Sequence, residues 1–422
     1  MLKQDHFPRS AVGPLPRNCG TLPVIVFAVL VWTVPFRVSA LDWYRWRGPD
    51  ANGISKETGW SIAWPIEGPK QLWKANVGTG FSSVSVSKGR VYTVGNKEKQ
   101  DTVYCFDANT GAVLWKHPYA APLDSKYYEG GPSATPTVDG DRVYTLSKRG
   151  QVFCFDASTG KVAWSKDLAK ELGVKPPTWG FAGSPLVEGN LVIVNLGGAG
   201  TALDKATAKV MWTSGKEEAG YSTPVPFNSG GERCAALFLA ESVAAVRIKD
   251  GREIWRQTWK TSHDVNAADP ITDDNNVFIS SGYNRGAALL KINAGRPTVA
   301  WENKNMRNHF NSCVLLDGHL YGFDESELKC VEFQTGKAKW TERSLGKGSL
   351  MAADGKLIVL GEKGELVVVE ATAVSFKPLS RAQVLGGLCW SPPVLSNGRI
   401  YCRNAKGDLV CLDVSAKQTS LR

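Results

Sequence analysis

The stretch VYCFDANTGAVLW, residues 103–115, decides the fold, and it returns as VFCFDASTGKVAW at residues 152–164. Each copy predicts a strand, a turn closed by Gly and a second strand that ends on Trp. Weaker copies follow along the chain, about every 45 residues. The repeat positions are Trp73, Trp115, Trp164, Trp212, Trp255, Trp301 and Trp340. A period of this length indicates a β-propeller or a related array.

A second repeated pattern precedes the Trp motifs and predicts a two-stranded hairpin around a Gly or Asn turn. Eight such hairpins begin near residues 83, 134, 183, 222, 268, 311, 350 and 391. The Trp motif that follows the seventh hairpin, at residues 366–379, has an ordinary apolar residue in place of Trp. Together the two patterns predict eight blades, each of four antiparallel strands.

The two ends of the repeat region complement each other. The last hairpin is followed by a third strand, residues 408–414, while an unpaired fourth strand, KQLWKANVG, stands at residues 70–78. Pairing these strands would complete an eighth blade and remove the open edges of a linear array. We therefore expect an all-β protein, an eight-bladed propeller over residues 70–413 that is closed by its N- and C-terminal strands. A lead-in, residues 41–69, precedes the propeller and a tail, residues 414–422, follows it.

Residues 1–40 have the pattern of a secretory signal peptide. Basic residues precede an apolar run at residues 24–34, and Val-Ser-Ala at residues 38–40 is typical of a cleavage site. Cys19 precedes the apolar run, so that a lipid-modified N-terminus is not indicated. The sequence thus predicts a periplasmic or secreted protein, and the alternative, an uncleaved anchor, would need a longer apolar run. Loss of four basic residues and one acidic residue with the signal lowers the net charge from +10 to +7, a balance that does not favour nucleic acid.

Eight of the nine cysteines follow the signal. Cys105, Cys154, Cys330 and Cys411 share one repeat position, where other copies have Ala or Val, and this favours buried free thiols. One pair is a candidate disulfide, because a hairpin turning at residues 406–407 would place Cys402 opposite Cys411.

The turn Asp and the Trp of the repeat have a structural interpretation. Asp107, Asp156, Asp204 and Asp413 can accept backbone hydrogen bonds in their turns, and Trp can cover the join between blades. Repetition argues against catalysis, because a reaction needs one site rather than eight. We expect no catalytic residue and no metal site, and the four histidines after the signal have no metal-ligand spacing.

These repeats, with their turn Asp, Thr-Gly and terminal Trp, resemble the pyrroloquinoline quinone (PQQ) repeats of eight-bladed quinoprotein dehydrogenases and of the outer-membrane assembly factor BamB. The lead-in WYRWRGPDANGIS, residues 43–55, also resembles that of secreted PQQ-like propeller proteins of planctomycete-type bacteria. The resemblance implies a quinoprotein alcohol dehydrogenase-like propeller. It does not choose between a binding protein and an enzyme, because the motif builds the fold in both.

Candidate binding residues come from the non-repeating segments that join the outer strand of one blade to the inner strand of the next. These segments place aromatic rings beside polar side chains, a combination that suits stacking and hydrogen bonding of a ligand at a funnel mouth. The alternative is that they only plug the channel. The candidates are Tyr128, Glu129, Trp179, Phe181, Tyr221, His263, Asp264, Asn266, Asn308, His309, Asn311 and Trp390.

The sequence favours a non-catalytic propeller that binds a protein, peptide or small ligand as a monomer and associates peripherally with the envelope. The alternative implied by the resemblance is a dehydrogenase that binds PQQ and Ca²⁺ and oxidises an alcohol or sugar. Under that alternative Glu129, Asp264 and Asn266 would supply oxygen ligands and a base, and Trp390 the floor beneath PQQ. The chain is shorter than those enzymes, and their adjacent cysteine pair is absent from this sequence.

Overall fold

The computed structural model of the protein describes residue 13, residues 41–215 and residues 217–416. The predicted signal peptide, apart from residue 13, lies outside the described residues, as do residues 417–422 of the predicted tail. No helix among the described residues is long and apolar enough to span a membrane.

Residues 70–413 form eight antiparallel four-stranded sheets, the blades of a propeller, as the repeats predict. Blades 1 to 4 each use four consecutive strands, which run in order from the inner to the outer strand. Blade 1 consists of Ser85–Ser87, Arg90–Lys97, Gln100–Asp107 and Val113–Ala120. Blade 2 consists of Thr137–Asp139, Arg142–Leu146, Gln151–Asp156 and Val162–Asp167. Blade 3 consists of Leu186–Glu188, Leu191–Val194, Thr201–Asp204 and Val210–Thr213. Blade 4 consists of Val225–Ser229, Glu232–Phe238, Ser242–Arg247 and Glu253–Thr258.

Blades 5 to 7 repeat the same order, and one helix, Leu168–Leu172, lies between blades 2 and 3 in the chain. Blade 5 consists of Ile271–Asp273, Asn276–Ser281, Gly286–Asn293 and Arg296–Asn303. Blade 6 consists of Val314–Leu316, His319–Asp324, Glu327–Glu332 and Ala338–Glu342. Blade 7 consists of Ser349–Ala353, Lys356–Leu360, Glu365–Glu370 and Pro378–Gln383.

Blade 8 combines strands from both ends of the repeat region. Its first three strands are Val394–Ser396, Arg399–Arg403 and Asp408–Asp413, and its outer strand is Lys70–Asn76. Lys70 pairs with Asp413 and Asn76 with Asp408 in an antiparallel register. This register is consistent with the predicted closure of the ring.

The lead-in is joined to the propeller by backbone pairing. Ile54–Ser55 forms a fifth, parallel strand beside the inner strand of blade 7, and Trp43 makes an isolated bridge to Val86 of blade 1. Trp43 and Trp60 are buried in a core cluster that also contains residues of blades 1, 7 and 8. The lead-in is therefore part of the packed structure.

One cross-strand row explains the residue types of the repeat. In blade 1 Tyr92 pairs with Cys105, which pairs with Trp115 on the outer strand. The middle position of this row is buried in every blade, and its side chains are small or aliphatic, as close packing between two neighbouring strands requires. These residues are Cys105, Cys154, Ala202, Ala245, Leu289, Cys330, Val368 and Cys411.

The repeat tryptophans link neighbouring blades through their indole nitrogens. At the junction between blades 8 and 1, Trp73 Nε1 donates a hydrogen bond of 3.0 Å to the carbonyl of Ala108. The same bond joins Trp115 to Ala157, Trp164 to Lys205, Trp212 to Ile248, Trp301 to Phe333 and Trp340 to Thr372. Trp255 is the exception, since its buried Nε1 has no partner among the described residues.

The glycine of the repeat turn is required by the Trp of the preceding blade. Gly160 has φ +71°, and a Cβ at this position would lie 2.5 Å from the indole of Trp115. The turn Asp is equally local, because Asp156 Oδ1 accepts hydrogen bonds from the backbone nitrogens of Ser158 and Thr159. These contacts account for the Asp, Thr-Gly and Trp of the motif without any ligand.

Two predictions about repeat residues are wrong. Tyr401 lies opposite Cys411, and Cys402 lies opposite Val410, one residue away from the predicted register. Neighbouring residues of a strand point to opposite faces, so Cys402 and Cys411 do not meet, and all eight described cysteines are free and buried. In blade 7 the residue in the Trp position is Ser380, which pairs with Val368, rather than an apolar residue.

Candidate functional site

The segments that connect successive blades meet at one cavity of about 260 Å³. We call it the aromatic funnel, because nine of its lining residues carry Phe, Tyr or Trp rings. These are Trp46, Phe81, Tyr127, Tyr128, Trp179, Tyr221, Tyr283, Phe310 and Trp390. A concave, mostly apolar surface with a few polar groups is the usual form of a site for a small ligand or an anchoring side chain.

Half of the predicted candidates line the aromatic funnel. They come from five different connections between blades. They are Tyr128, Trp179, Tyr221, His309, Asn311 and Trp390. Their convergence is the geometry that a binding site would need, and binding itself stays a prediction.

Three candidates are instead held in structural contacts. Phe181 is packed in a hydrophobic core cluster. Asn266 is fully buried, donates from Nδ2 to three backbone carbonyls and accepts from the hydroxyl of Ser281. Asn308 donates to the carbonyl of Phe323 and accepts from the thiol of Cys313. None of the three lines the funnel, and the polar groups of the two asparagines are occupied within the fold.

The remaining three candidates, Glu129, His263 and Asp264, are also not among the residues that line the funnel. His263 is exposed, and its ring packs edge-on against Tyr283 with 4.9 Å between ring centroids. Asp264 is exposed as well, in a left-handed backbone conformation with φ 55°.

Six rings that line the funnel and the neighbouring ring of His263 form a continuous series of contacts, which we call the aromatic arc. Centroid distances between successive rings are 4.5–5.7 Å, within the range of favourable aromatic pairs. In order, the members are Tyr128, Phe81, Trp390, Phe310, His309, Tyr283 and His263. Trp179 and Tyr221 form a separate edge-to-face pair at 5.9 Å. These ring contacts join parts of the chain that are far apart in sequence.

Hydrogen bonds also link neighbouring blades at residues that stand just before the inner strands. In this axial belt of six residues, the backbone N–H of each of the first five donates to the side-chain oxygen of the next member, at 2.8–3.0 Å. The members, in order, are Ser83, Thr135, Ser184, Thr223, Asp269 and Ser312. Asp269 is thus the one carboxylate in a belt whose other described members are hydroxyls.

Asp269 is 5 % exposed and lines the funnel. Its Oδ2 accepts a hydrogen bond of 2.6 Å from Trp46 Nε1 and lies 3.8 Å from Nε of the buried Arg47. Its Oδ1 accepts from the backbone nitrogen of Thr223 at 2.8 Å. Burial raises the pKa of the Asp269 carboxyl, and the charge of Arg47 opposes that rise. Sequence reasoning missed both Asp269 and Trp46.

Trp46 is held in place because the lead-in contacts nearly every blade. Residues 43–57 make successive contacts with blades 1, 2, 3, 5, 6, 7 and 8 or the segments directly before them. The contacts join Trp43 to Val86, Tyr44 to Val138, Arg45 to Glu188, Trp46 to Asp269, Arg47 to Cys313, Gly53 to Ala352 and Glu57 to Asn397. The lead-in therefore positions one wall residue of the funnel.

A charged cluster borders the aromatic arc at His309. Lys347 Nζ lies 2.9 Å from His309 Nδ1 and 3.1 Å from Glu325. Burial, followed by the charge of Lys347, lowers the pKa of His309 to about 4. The imidazole is therefore neutral at pH 7, and its Nδ1 can accept a hydrogen bond from the ammonium group.

This depressed pKa predicts a pH dependence of stability. The unfolded chain takes up a proton on His309 near pH 6.5, whereas the folded protein does so only near pH 4. The free energy of unfolding should therefore contain a contribution that is lost as the pH falls from about 6.5 towards 4. Denaturant unfolding at pH 7.5 and 5.0 should show a smaller loss for His309→Gln than for the wild type. Equal losses in the two proteins would contradict this assignment.

The residues expected for a PQQ and Ca²⁺ site do not come together. Asn266 uses its amide group in structural hydrogen bonds, while Glu129 and Asp264 are absent from the lining of the funnel. Among residues 41–215 and 217–416, no group of three His, Cys, Asp or Glu side chains is arranged to hold a metal ion. Of the four residues that the quinoprotein interpretation uses, only Trp390 lines the funnel.

The blades, the Trp links and the funnel define a propeller built from PQQ-like repeats. The family model described as outer membrane protein assembly factor BamB matches residues 66–131 and 99–342, and the chain belongs to this family. A search of curated proteins found no match.

Solved structures support the fold. BamB from Moraxella catarrhalis is 15 % identical, with a TM-score of 0.60, and the match covers 82 % of this chain and 99 % of BamB. Quinohemoprotein alcohol dehydrogenase from Comamonas testosteroni is 13 % identical, with a TM-score of 0.67 and coverage of 89 % and 81 %. The computationally designed protein Ika8 is 12 % identical, with a TM-score of 0.60 and coverage of 84 % and 100 %. At these identities the likeness concerns the fold.

Proposed function

We propose that this protein is a non-catalytic binding module of the cell envelope, periplasmic or secreted, which captures a partner through the aromatic funnel. The observation that carries the proposal is the convergence of nine aromatic residues from separate parts of the chain on one cavity. The repeat itself does not require them, because its own Trp, Gly and Asp residues are accounted for by contacts within and between blades.

The family model carries the description of an assembly factor, and this is compatible with the proposed binding role. The placement of Glu129, Asp264 and Asn266 gives the dehydrogenase alternative little support. We expect the partner to insert an apolar or aromatic group, since large buried aromatic contacts dominate the energetics of such sites. The module acts as a monomer in this proposal.

The proposal is tested by site-specific photo-crosslinking in envelope fractions of the source cells. Tyr127 lines the funnel and is 86 % exposed, whereas Val374, also 86 % exposed, is not a lining residue and serves as the matched control. With a photoreactive phenylalanine at either position, a specific adduct should form at 127 and not at 374. The adduct should disappear when Phe310 and Trp390 are both changed to Ala.

Two results would contradict the proposal. Equal adducts at positions 127 and 374, or none at 127, would remove the evidence for capture at the funnel. Dye-linked oxidation of an alcohol or sugar by the purified protein with PQQ and Ca²⁺ would favour the dehydrogenase instead.

A further inference from the structure

The aromatic funnel has an unusual charge composition. Among its described lining residues, Asp269 carries the only carboxyl group, and the imidazole of His309 is neutral at pH 7. The site thus combines many π-electron surfaces with one carboxylate. Faces of Trp, Tyr and Phe attract organic cations, and the attraction grows when the site is shielded from water.

The carboxylate of Asp269 is not needed to build the axial belt. Ser184, Thr223 and Ser312 accept the same backbone hydrogen bond with a hydroxyl group. A buried carboxylate is more costly to desolvate than a hydroxyl, and the hydrogen bond from Trp46 Nε1 at 2.6 Å offsets part of that cost. Arg47 does not line the funnel, but its Nε lies 3.8 Å from Oδ2 of Asp269 and offsets part of the charge of that carboxylate.

Cations already contact two rings of the aromatic arc. Lys347 Nζ lies 5.5 Å from the centroid of Phe310, and Lys148 Nζ lies 5.2 Å from that of Tyr128. Neither lysine is among the residues that line the funnel. Lys347 is balanced by Glu325 at 3.1 Å, and Lys148 donates to the hydroxyl of Tyr128 at 2.7 Å. Two rings of the aromatic arc thus already make cation–π contacts.

We infer that the aromatic funnel binds an organic ammonium group, with the aromatic rings enclosing the cation and Asp269 supplying the opposite charge. This inference deepens the proposed function and rests on it, since it names the chemistry that the funnel captures. The ammonium group can belong to a small free amine or to a lysine side chain of a protein. Both sources present the same chemistry to the site.

The test compares ligands that differ in charge and not in shape. Choline and its neutral isostere 3,3-dimethylbutan-1-ol are titrated into the full chain, with Trp fluorescence and calorimetry as readouts. A second arm compares N-acetyl-lysine amide with N-acetyl-norleucine amide and distinguishes a side chain from a free amine. The cation of at least one pair should bind about tenfold more tightly than its neutral counterpart, as expected for desolvated cation–π contacts with a carboxylate.

Variants separate recognition from structure. Asp269→Asn should remove the preference for the cation, and Phe310→Leu should weaken cation binding while the melting temperature stays near that of the wild type. Asp354→Asn, which neutralises an exposed acid in the hairpin turn of blade 7, is the control and should bind as the wild type does. If Asp269→Asn lowers stability and leaves the cation preference intact, Asp269 serves only to anchor the lead-in and the inference is overturned.

The outcomes of the two experiments are distinguishable. Equal binding of choline and its neutral isostere, with equal binding of the second pair, would overturn the inference and leave the proposed function supported. Failure of all four probes would overturn the inference as well, and the crosslinking comparison of positions 127 and 374 would then decide the proposed function independently.

Discussion

A chain that lacks residues 41–80 should lose most of its stability, or fail to form a cooperative fold. The deletion removes the outer strand of blade 8, Lys70–Asn76, and exposes the edge of Asp408–Asp413. It also removes the buried Trp73, whose loss alone is expected to cost about 3–5 kcal/mol. Thermal unfolding followed by circular dichroism, together with size-exclusion chromatography, measures the effect.

The control for this deletion is removal of residues 417–422, which leaves every strand of the propeller intact and should leave the melting temperature unchanged. Trp73→Ala in the full chain should produce an intermediate loss. A protein without residues 41–80 that melts at the wild-type temperature would show that the paired termini do not stabilise the ring.

Trp115→Ala should lower the free energy of unfolding by about 3–5 kcal/mol, as expected for a buried aromatic side chain. The indole packs on Gly160 and donates to the carbonyl of Ala157. The same variant should leave ligand binding at the funnel unchanged in the folded protein, because Trp115 is not among its lining residues. Urea unfolding gives the stability change.

The hydrogen bond of Trp115 can be separated from its packing. Trp115→Phe removes one of the two hydrogen bonds that the Ala157 carbonyl accepts, the other coming from the hydroxyl of Tyr92. The variant should therefore cost about 0.5–1.5 kcal/mol beyond the lost contact area. Trp255→Phe is the matched control, since Nε1 of Trp255 has no partner among the described residues. Equal costs for the two phenylalanine variants would mean that the bond between blades contributes nothing measurable.

Most of the fold was predictable because the same pattern of strand, turn and Trp recurs along the chain. The turn motif of residues 103–115 and its copies fix strand, turn and Trp together, and the orphan strand at residue 70 indicates the closure. The errors concern single positions. The predicted pairing of Cys402 with Cys411 is wrong by one residue. The position of the turn at Lys406-Gly407 does not by itself specify which residues of the two strands face each other.

The candidate site was less predictable, since residue type does not reveal where a polar group is satisfied. Asn266 and Asn311 look alike in sequence, and both amides donate to backbone carbonyls, yet only Asn311 lines the funnel. Trp46 was missed because it stands in the lead-in, outside the repeat. Asp269 carries a signal that could have been used, because it occupies a position before Pro where the hairpins at residues 134, 183 and 222 have Thr or Ser.

The eight cysteines of the described residues are free and buried, and this affects how unfolding of the protein can be followed. Burial raises the pKa of these thiols, to about 12 for Cys105 and Cys389, so that little reactive thiolate is present in the native state. Opening of the structure would expose them to alkylation. Because they lie in or next to blades 1, 2, 4, 6 and 8, mass spectrometry of alkylated peptides would report which part of the ring opens first. Alkylation of these thiols can therefore be used to follow the order in which the blades unfold.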